Sequence, residues 1–160
     1  LIAARELERR VAVGIIDLDG FKTVNDLYGH STGDRLLTAV GARLDAVSAG
    51  SNTLFSRMGG DEFAFLISNA ADDEAIVAEG NNICSALHAS FELGDVTVMI
   101  SGSVGIAVYP QTGSTPEQLF DRADYALYHG KRTKRGSSTL FSIAHHEEIH
   151  RDARIEQTLL

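Results

Sequence analysis

The chain has 160 residues, of which 44% are apolar and 22% charged, and its formal net charge is −8. Length and composition favour one globular domain with its own core, and the acidic balance argues against non-specific nucleic-acid binding. The single cysteine, Cys84, excludes an intrachain disulfide and a zinc–cysteine site, and it fits a reducing, cytoplasmic compartment.

The first half of the chain predicts a strand, two helices and a hairpin. The apolar run 11–16 is typical of a buried strand that ends at Asp17. Residues 21–47 have a helical pattern, interrupted by a loop at 28–33. Two strands, 53–58 and 62–67, then flank a Gly59-Gly60-Asp61 turn, where glycine supplies the positive φ that tight turns need.

The second half predicts a helix, a second hairpin, another helix and a last strand. The predicted elements are a helix over 72–89, strands over 91–93 and 96–109, a helix from the Thr115 N-cap to about Lys134, a strand over 139–142 and a polar C-terminal helix. A hairpin set between helical crossovers favours an α/β (α+β) fold. We expect a mixed, mostly antiparallel central sheet flanked by helices, close to a ferredoxin-like plan.

Two acidic clusters follow predicted strands. Asp17-Leu18-Asp19 comes after the first strand, and Asp61-Glu62 lies in the hairpin turn. If the two strands are neighbours, these carboxylates meet at one edge of the sheet and repel each other unless a cation lies among them. Oxygen ligands without His or Cys favour Mg²⁺ or Mn²⁺. The simpler interpretation, solvated turn carboxylates, is weakened by Gly59-Gly60, whose bare backbone lets a bulky ligand approach.

Cationic residues suited to phosphate lie near these clusters in sequence. Lys22 follows the first cluster, and four basic residues end the helix that begins after Thr115: Lys131, Arg132, Lys134 and Arg135. The helix dipole alone would explain cations at a helix C-terminus. Together with a metal site, a triphosphate clamp becomes the better explanation.

Two polar residues between these groups have the hydrogen-bonding capacity to read a base. Asn25 offers both donors and an acceptor, and Asp34 can accept from the N1–H and exocyclic amine of guanine. The spacing is explained equally well by simpler roles. Asn25 would then be a helix-surface residue, and Asp34 a charge at a helix N-terminus.

Five motifs in register resemble those of the GGDEF domains. Gly59-Gly60-Asp61-Glu62-Phe63 matches the sequence that names the family. The other four are Asp17-Leu18-Asp19-Gly20-Phe21-Lys22-Thr23-Val24-Asn25-Asp26, Tyr28-Gly29-His30 with Gly33-Asp34, Ser103-Val104-Gly105-Ile106-Ala107, and Ala126-Leu127-Tyr128-His129-Gly130-Lys131. The family comprises diguanylate cyclases, whose fold is similar to nucleotide cyclase and polymerase palm domains.

The resemblance implies a role for each matching residue. Asp17, the Leu18 carbonyl and Asp61 would hold the metals. Asp61 would also help to deprotonate the attacking 3′-hydroxyl, with Glu62 beside it. The implied phosphate contacts are the backbone amides of Phe21 and Lys22 with the side chains of Lys131 and Arg135, while the Lys22 side chain would stabilise the transition state. Asn25 and Asp34 would read guanine, His30 would line the pocket, and Gly60 would let the nucleotide approach.

The implied reaction condenses two GTP into cyclic di-GMP with release of pyrophosphate, in a homodimer that needs a divalent metal. An alternative is a catalytically quiet, GTP-binding GGDEF domain that controls an attached EAL phosphodiesterase. A pure protein-interaction domain without GTP affinity is a third possibility.

The chain also departs from the family pattern. The inhibitory product motif R-x-x-D is replaced at its matching positions by Gly50 and Thr53, so we expect no such feedback site. We expect a fragment, with residues 1–142 forming the GGDEF domain with a truncated N-terminal helix. Residues 143–160 are expected to form a C-terminal helix or a connector of the kind that leads to an EAL domain. No apolar run approaches the roughly 20 residues that span a bilayer.

Overall fold

The computed structural model describes residues 10–143 and Glu147. The elements in chain order are β1 (Val11–Asp19), α1 (Phe21–Tyr28), α2 (His30–Ser48), β2 (Thr53–Gly59), β3 (Glu62–Ser68), α3 (Asp73–His88), β4 (Phe91–Leu93), β5 (Val96–Val98), β6 (Ser101–Tyr109), α4 (Pro116–Thr133) and β7 (Ser138–Leu140). The predicted C-terminal helix or connector over 143–160 lies outside the described residues, apart from Ile143 and Glu147.

A five-stranded sheet in the order β2-β3-β1-β6-β7 forms the centre of the domain. Strand β1 is antiparallel to both neighbours, β3 and β6, and only β7 runs parallel to its partner. The predicted mixed, mostly antiparallel sheet flanked by helices is therefore confirmed. Because β1 lies in the middle, its last residues are placed beside elements from distant parts of the chain.

The two faces of the sheet carry separate hydrophobic cores. On one face, α1, α2 and α3 pack over Ile16, Phe65 and Ile106. On the other face, α4 packs over Val13 and Ile15. Alternating side chains of β1 reach both cores, which explains its nearly continuous apolar sequence. The central strand is thus held rigidly from both sides up to the residues that carry the site.

Local sequence signals for turns and caps are confirmed. Gly59 and Gly60 have φ of 148° and 52° in the hairpin turn. The side chain of Thr115 caps α4 by accepting a hydrogen bond from the amide of Gln118 at 3.2 Å. These short-range patterns could be read from sequence because each is satisfied by neighbouring residues.

Three predicted boundaries were wrong. Strand β1 does not end at Asp17 but continues to Asp19, because Leu18 is buried and the pairing with β6 extends to Ser101. The predicted loop at 28–33 is reduced to Gly29, whose φ of 91° turns the chain between α1 and α2. The predicted strand 96–109 is two strands. Its first part pairs with β4 in a separate two-stranded sheet, and its second part joins the central sheet as β6.

Within the described part of the chain, no helix combines the length and apolar character required to cross a bilayer.

Candidate functional site

The two acidic clusters meet at the end of the β1–β3 ladder. Asp17 is directly opposite Glu62 in this pairing. The amide of Leu18 donates a hydrogen bond to the carbonyl of Asp61 at 3.3 Å. The convergence predicted from the strand-end positions is therefore observed, and it results from antiparallel pairing of two strands about 45 residues apart in sequence.

The turn that carries Asp61 is fastened by an arginine. Both Nε and Nη2 of Arg57 donate to the carbonyl oxygen of Gly60, at 3.3 and 3.1 Å. The β2–β3 register shifts between Arg57 and Gly59, which marks a bulge next to the turn. The exposed Gly60 leaves the backbone open beside Asp61. Sequence reasoning missed Arg57, although its position two residues before the paired glycines was the available signal.

Lys131 lies between the two carboxylates of the first cluster. Its Nζ donates to Asp17 Oδ2 and lies 3.3 Å from Asp19 Oδ1. Arg135 Nη1 donates to Asp19 Oδ1 at 2.8 Å. The C-terminal end of α4 and the segment that follows it thus bring to the acidic edge the two cations that the resemblance implies for phosphate binding. They neutralise the charges of Asp17 and Asp19.

The pKa values of the acidic groups diverge according to how each is partnered. Burial and the charge of Asp17 raise the pKa of Asp61. Burial, Asp17 and Asp124 likewise raise the pKa of Glu62. Burial alone would raise the pKa of Asp19, but hydrogen bonds from serines and the charge of Lys131 outweigh it, so that the pKa is lowered. The charge of Lys131 also acts on Asp61 and Glu62, but there burial and the charge of Asp17 outweigh it.

The pKa of Lys131 is raised by the carboxylates around it. Burial by itself lowers the pKa of an ammonium group, but the hydrogen bond and charge of Asp17 and the charge of Asp19 raise the pKa of Lys131 overall. Its ammonium group therefore remains protonated in the position where the first carboxylate cluster attracts a cation.

The residues present fit a divalent metal bound jointly with a nucleotide. Asp17, Asp61 and main-chain carbonyls supply only oxygen donors, and burial together with the charge of Asp17 raises the pKa of Asp61. Among residues 10–143 and Glu147, no three His, Cys, Asp or Glu side chains group as a metal site on their own. Mg²⁺ characteristically takes one or two carboxylates and completes its shell with water and substrate phosphates, so this donor set suits Mg²⁺ or Mn²⁺.

Helix α1 begins directly after β1, and no side chain caps its N-terminus. Gly20 adopts φ 92° and forms the N-cap without a side-chain hydrogen bond. The first amides of a helix have no intrahelical partner, so those of Phe21 and Lys22 are suited to an anion. Phe21 packs against the core, and Lys22 is exposed. The arrangement is compatible with the implied phosphate contacts of both residues.

The implied base-reading residues lie on α1 and α2. Asn25 is half-buried on α1, and its Oδ1 is buried without a hydrogen-bond partner among the described residues. It lies against Gly33, where a side chain would collide with it. His30 and Asp34 are exposed on α2. An unsatisfied buried acceptor costs free energy unless a ligand or water pairs with it, which is consistent with a ligand contact at Asn25.

An open cavity of about 510 Å³ lies between the acidic edge and α4. Its lining residues are Asp17, Glu62, Asp121, Asp124, Tyr125, Leu127, Tyr128 and Lys131. Sequence reasoning did not identify Asp124, although its spacing of four and seven residues from Tyr128 and Lys131 places all three on one helix face. The cavity therefore adds two carboxylates to the site, Asp121 and Asp124, and the charge of Asp124 acts on Glu62.

Comparison with known proteins agrees with the geometry. The family described as "Diguanylate cyclase, GGDEF domain" matches residues 2–137. The bifunctional diguanylate cyclase/cyclic di-GMP phosphodiesterase MucR of Pseudomonas aeruginosa is 42% identical over 135 residues, which are 84% of this chain and 19% of MucR. The cyclic di-GMP phosphodiesterase PdeR of Escherichia coli is 39% identical over 133 residues, 83% of this chain and 20% of PdeR.

A solved structure extends the similarity to three dimensions. The GGDEF domain of TpbB from P. aeruginosa superposes with a TM-score of 0.84 at 37% identity, covering 89% of this chain and 88% of that domain. The complete diguanylate cyclase TpbB is 39% identical over 138 residues, 86% of this chain and 32% of TpbB. The chain thus spans between about a fifth and a third of the length of these three curated relatives. By sequence and by fold, this chain belongs to the GGDEF-domain family of diguanylate cyclases.

Proposed function

We propose that this domain condenses two molecules of GTP into cyclic di-GMP. The observation that carries the proposal is the meeting of Asp17, Asp61 and Glu62 at one end of the β1–β3 ladder, with Lys131 and Arg135 brought there by α4. The carboxylates that would hold a metal and accept a proton are all present, beside the two cations that would bind phosphate. The complete set therefore favours turnover over mere nucleotide binding.

In the proposed reaction, the 3′-oxygen of one GTP forms a bond to the α-phosphorus of another. The bond from that phosphorus to the bridging oxygen of pyrophosphate breaks, and pyrophosphate leaves. The same step repeated in the other direction closes the ring, so two GTP yield one cyclic di-GMP and two pyrophosphates. When bound, Mg²⁺ or Mn²⁺ would stabilise negative charge on the attacking and leaving oxygens.

The protein groups have distinct parts in this proposal. Asp17, the Leu18 carbonyl and Asp61 would hold the metal. Asp61 would also help to accept the proton of the attacking hydroxyl, with Glu62 adding negative charge beside it. Amides at the start of α1, from Phe21 and Lys22, would bind phosphate oxygens.

The remaining contacts fix the nucleotide and the developing charge. The side chain of Lys22 would stabilise charge in the transition state. Lys131, released from Asp17, and Arg135 would contact the phosphates. Asn25 and Asp34 would hydrogen-bond guanine, with His30 lining the pocket. Gly60 has no side chain to obstruct the nucleotide at the turn.

Each domain would carry one GTP, so the reaction requires two domains facing each other across a two-fold axis. At low protein concentration, the initial rate should therefore rise with the square of the domain concentration. The proposed use of GTP and the free thiol of Cys84 would fit a reducing cytoplasmic location.

The direct test is to incubate the full-length protein with GTP and Mg²⁺ and to measure pyrophosphate and cyclic di-GMP. Native protein should form both in a ratio of two to one, and Asp61→Ala should form neither while remaining folded. Absence of product at high protein concentration, with GTP bound, would reject the cyclase. That result would favour the alternative, a GTP-binding domain that controls an attached EAL phosphodiesterase.

The alternative has one specific observation in its favour: a relative of similar identity, PdeR, is named a cyclic di-GMP phosphodiesterase. If the alternative holds, GTP should alter phosphodiesterase activity of the full-length protein without being consumed. Calorimetry with GTP and Mg²⁺ distinguishes both hypotheses from a pure protein-interaction domain, which would release no heat of binding.

A further inference from the structure

The two oxygens of Asp19 have different partners. Oδ2 accepts hydrogen bonds from the hydroxyls of Ser101 at 3.0 Å and Ser103 at 2.6 Å. Oδ1 faces the cations, with Arg135 Nη1 at 2.8 Å and Lys131 Nζ at 3.3 Å. The side chain is only 9% exposed. Two neutral donors thus fix the carboxylate, and its other oxygen is directed at both phosphate-binding cations of the proposed function.

We propose that Asp19, held by Ser101 and Ser103, is a positioning residue that orients Arg135 and Lys131 for the phosphates of GTP. The inference rests on the proposed function, since it concerns the same nucleotide. It separates Asp19 from Asp17, although both belong to one Asp-x-Asp sequence. Lys131 is the ion-pair partner that Asp17 must release before it can bind a metal. In Asp19, by contrast, both carboxylate oxygens already have hydrogen-bond or ion-pair partners.

The orienting effect of Asp19 should be largest for Arg135, whose side chain is otherwise exposed. It follows the end of α4, and its side chain is 64% exposed, so nothing but Asp19 restrains its guanidinium group among the contacts of the described residues. A long side chain that is ordered in advance loses less conformational entropy when the ligand arrives. The ion pair therefore favours phosphate binding by arranging the guanidinium before GTP enters.

Ser103 supports the same arrangement from a second side. The hydroxyl of Ser103 donates a hydrogen bond to Asp19, and its oxygen accepts one from the amide of Gly136 at 2.9 Å. One hydroxyl thus fixes both the carboxylate that holds Arg135 and the backbone directly after Arg135. The next backbone bond, from the amide of Val104 to the carbonyl of Ser137 at 3.0 Å, continues this attachment into β6.

The serines allow a cleaner test than Asp19 itself. Replacing Asp19 would loosen the cations but also remove a negative charge near an anionic ligand, and these two effects on GTP affinity oppose each other. Replacing the serines leaves the charge of Asp19 in place and removes the hydrogen bonds that orient it. Ser101→Ala removes such a bond alone, whereas Ser103→Ala also removes the acceptor of the Gly136 amide. The variants of choice are Ser101→Ala, Ser103→Ala and the double variant. Ser114→Ala is the control, because Ser114 Oγ donates to Gln118 Oε1 at the start of α4, far from the site.

The experiment measures Kd for 3′-deoxy-GTP with Mg²⁺ in the full-length protein, since this analogue lacks the attacking hydroxyl and is not consumed. Guanosine, measured by competition, reports the base site alone. We expect the double variant to bind 3′-deoxy-GTP about threefold to tenfold more weakly, the effect of ordering one or two long side chains on binding. Guanosine affinity and the Ser114→Ala control should be unchanged. In an Arg135→Ala background, Ser103→Ala should have much less effect, because its target is gone.

Unchanged 3′-deoxy-GTP affinity in the double variant would overturn the inference, and so would an equal loss of guanosine affinity, which indicates a general structural role. If the double variant fails to fold, the single variant Ser101→Ala, which loses one hydroxyl, decides by the same criteria. A native protein that binds 3′-deoxy-GTP but makes no cyclic product from GTP would reject the cyclase and leave the positioning role to be judged by these affinities. A native protein that binds no guanine nucleotide would overturn both.

Discussion

The side-chain oxygen of Asn25 occupies the space that a side chain at Gly33 would require: a Cβ at Gly33 would lie 1.7 Å from Asn25 Oδ1. These residues belong to consecutive helices, α1 and α2, and the contact sets the distance between them. Gly33 has no unusual backbone φ, so its role is close approach and not backbone freedom. The orientation of the proposed guanine-reading amide therefore depends on the absence of a side chain on the next helix.

Gly33→Ala should displace the Asn25 side chain and leave the fold intact, because the colliding atom is the end of a flexible side chain. We expect GTP affinity to fall about tenfold, consistent with about 1–3 kcal/mol for a lost partner of a buried polar group. Preference for GTP over ATP should fall with it. The measurement is Kd for both nucleotides.

Gly41→Ala is the matched control for this change. Gly41 lies in the same helix, and a Cβ there would meet nothing within 4 Å. It should leave nucleotide affinity unchanged and stabilise the helix by up to about 1 kcal/mol. Equal loss of GTP affinity in both variants would contradict the proposed contact between Asn25 and the base.

Lys131→Met should have opposite effects on the binding of metal and of GTP. Without the ammonium group, Asp17 is free to bind a divalent cation, and we expect Mn²⁺ affinity without nucleotide to rise by a few-fold. GTP affinity should fall by about tenfold, because a charge-assisted hydrogen bond contributes about 1.5–3 kcal/mol. Electron paramagnetic resonance gives free Mn²⁺, and calorimetry gives GTP binding. Lys134→Met, an exposed neighbour at the C-cap of α4, should change neither.

Glu62→Gln should stabilise the metal-free domain at neutral pH. Because burial, Asp17 and Asp124 raise the pKa of Glu62 above its ordinary 4.5, the folded state binds this proton more tightly than the unfolded state. The ionised group therefore opposes folding above that pH, and stability is lost as the pH rises through the raised pKa. Thermal unfolding in EDTA should show a higher midpoint for the variant at pH 7 and equal midpoints below pH 4.5. The gain is small, since Glu62 is only partly buried.

Asp19→Asn should have the opposite effect on stability. The pKa of Asp19 is lowered from 3.8, so its ionised form stabilises the fold above that pH, and this contribution disappears as the pH falls through the lowered pKa. The variant should unfold at a lower temperature at pH 7, with the difference shrinking in acid. The same direction of change for Glu62→Gln and Asp19→Asn would contradict the charge distribution described for the site.

Arg57→Ala should loosen the turn that presents Asp61, because two hydrogen bonds to the Gly60 carbonyl are lost. We expect kcat to fall about threefold to tenfold with KM for GTP nearly unchanged, since orientation of the reacting groups is affected more than binding. Arg57→Lys is the informative comparison. It keeps the charge but not the two-pronged donor, so activity close to that of Arg57→Ala is expected. Full activity in the lysine variant would show that charge alone matters.

Several parts of the fold could be predicted because the information is local. The glycine turn at Gly59-Gly60, the Thr115 cap and the apolar run before Asp17 are each recognisable within a few residues. The motifs also identified the family, since their order and spacing are properties of the sequence. The errors arose where pairing partners decide the outcome: whether Leu18 continues β1, and whether residues 96–109 serve one sheet or two.

The sequence by itself therefore determined which residues are carboxylates and cations, which of them precede or follow a strand, and to which family the chain belongs. Only the tertiary structure decided how they pair. Lys131 and Arg135 lie 114 and 116 residues after the aspartates that they contact, and Asp19 reaches its serines across 82 and 84 residues. The physical reason is that each charge takes its pKa and orientation from neighbours that strand order and helix packing place around it, and no local pattern contains that arrangement.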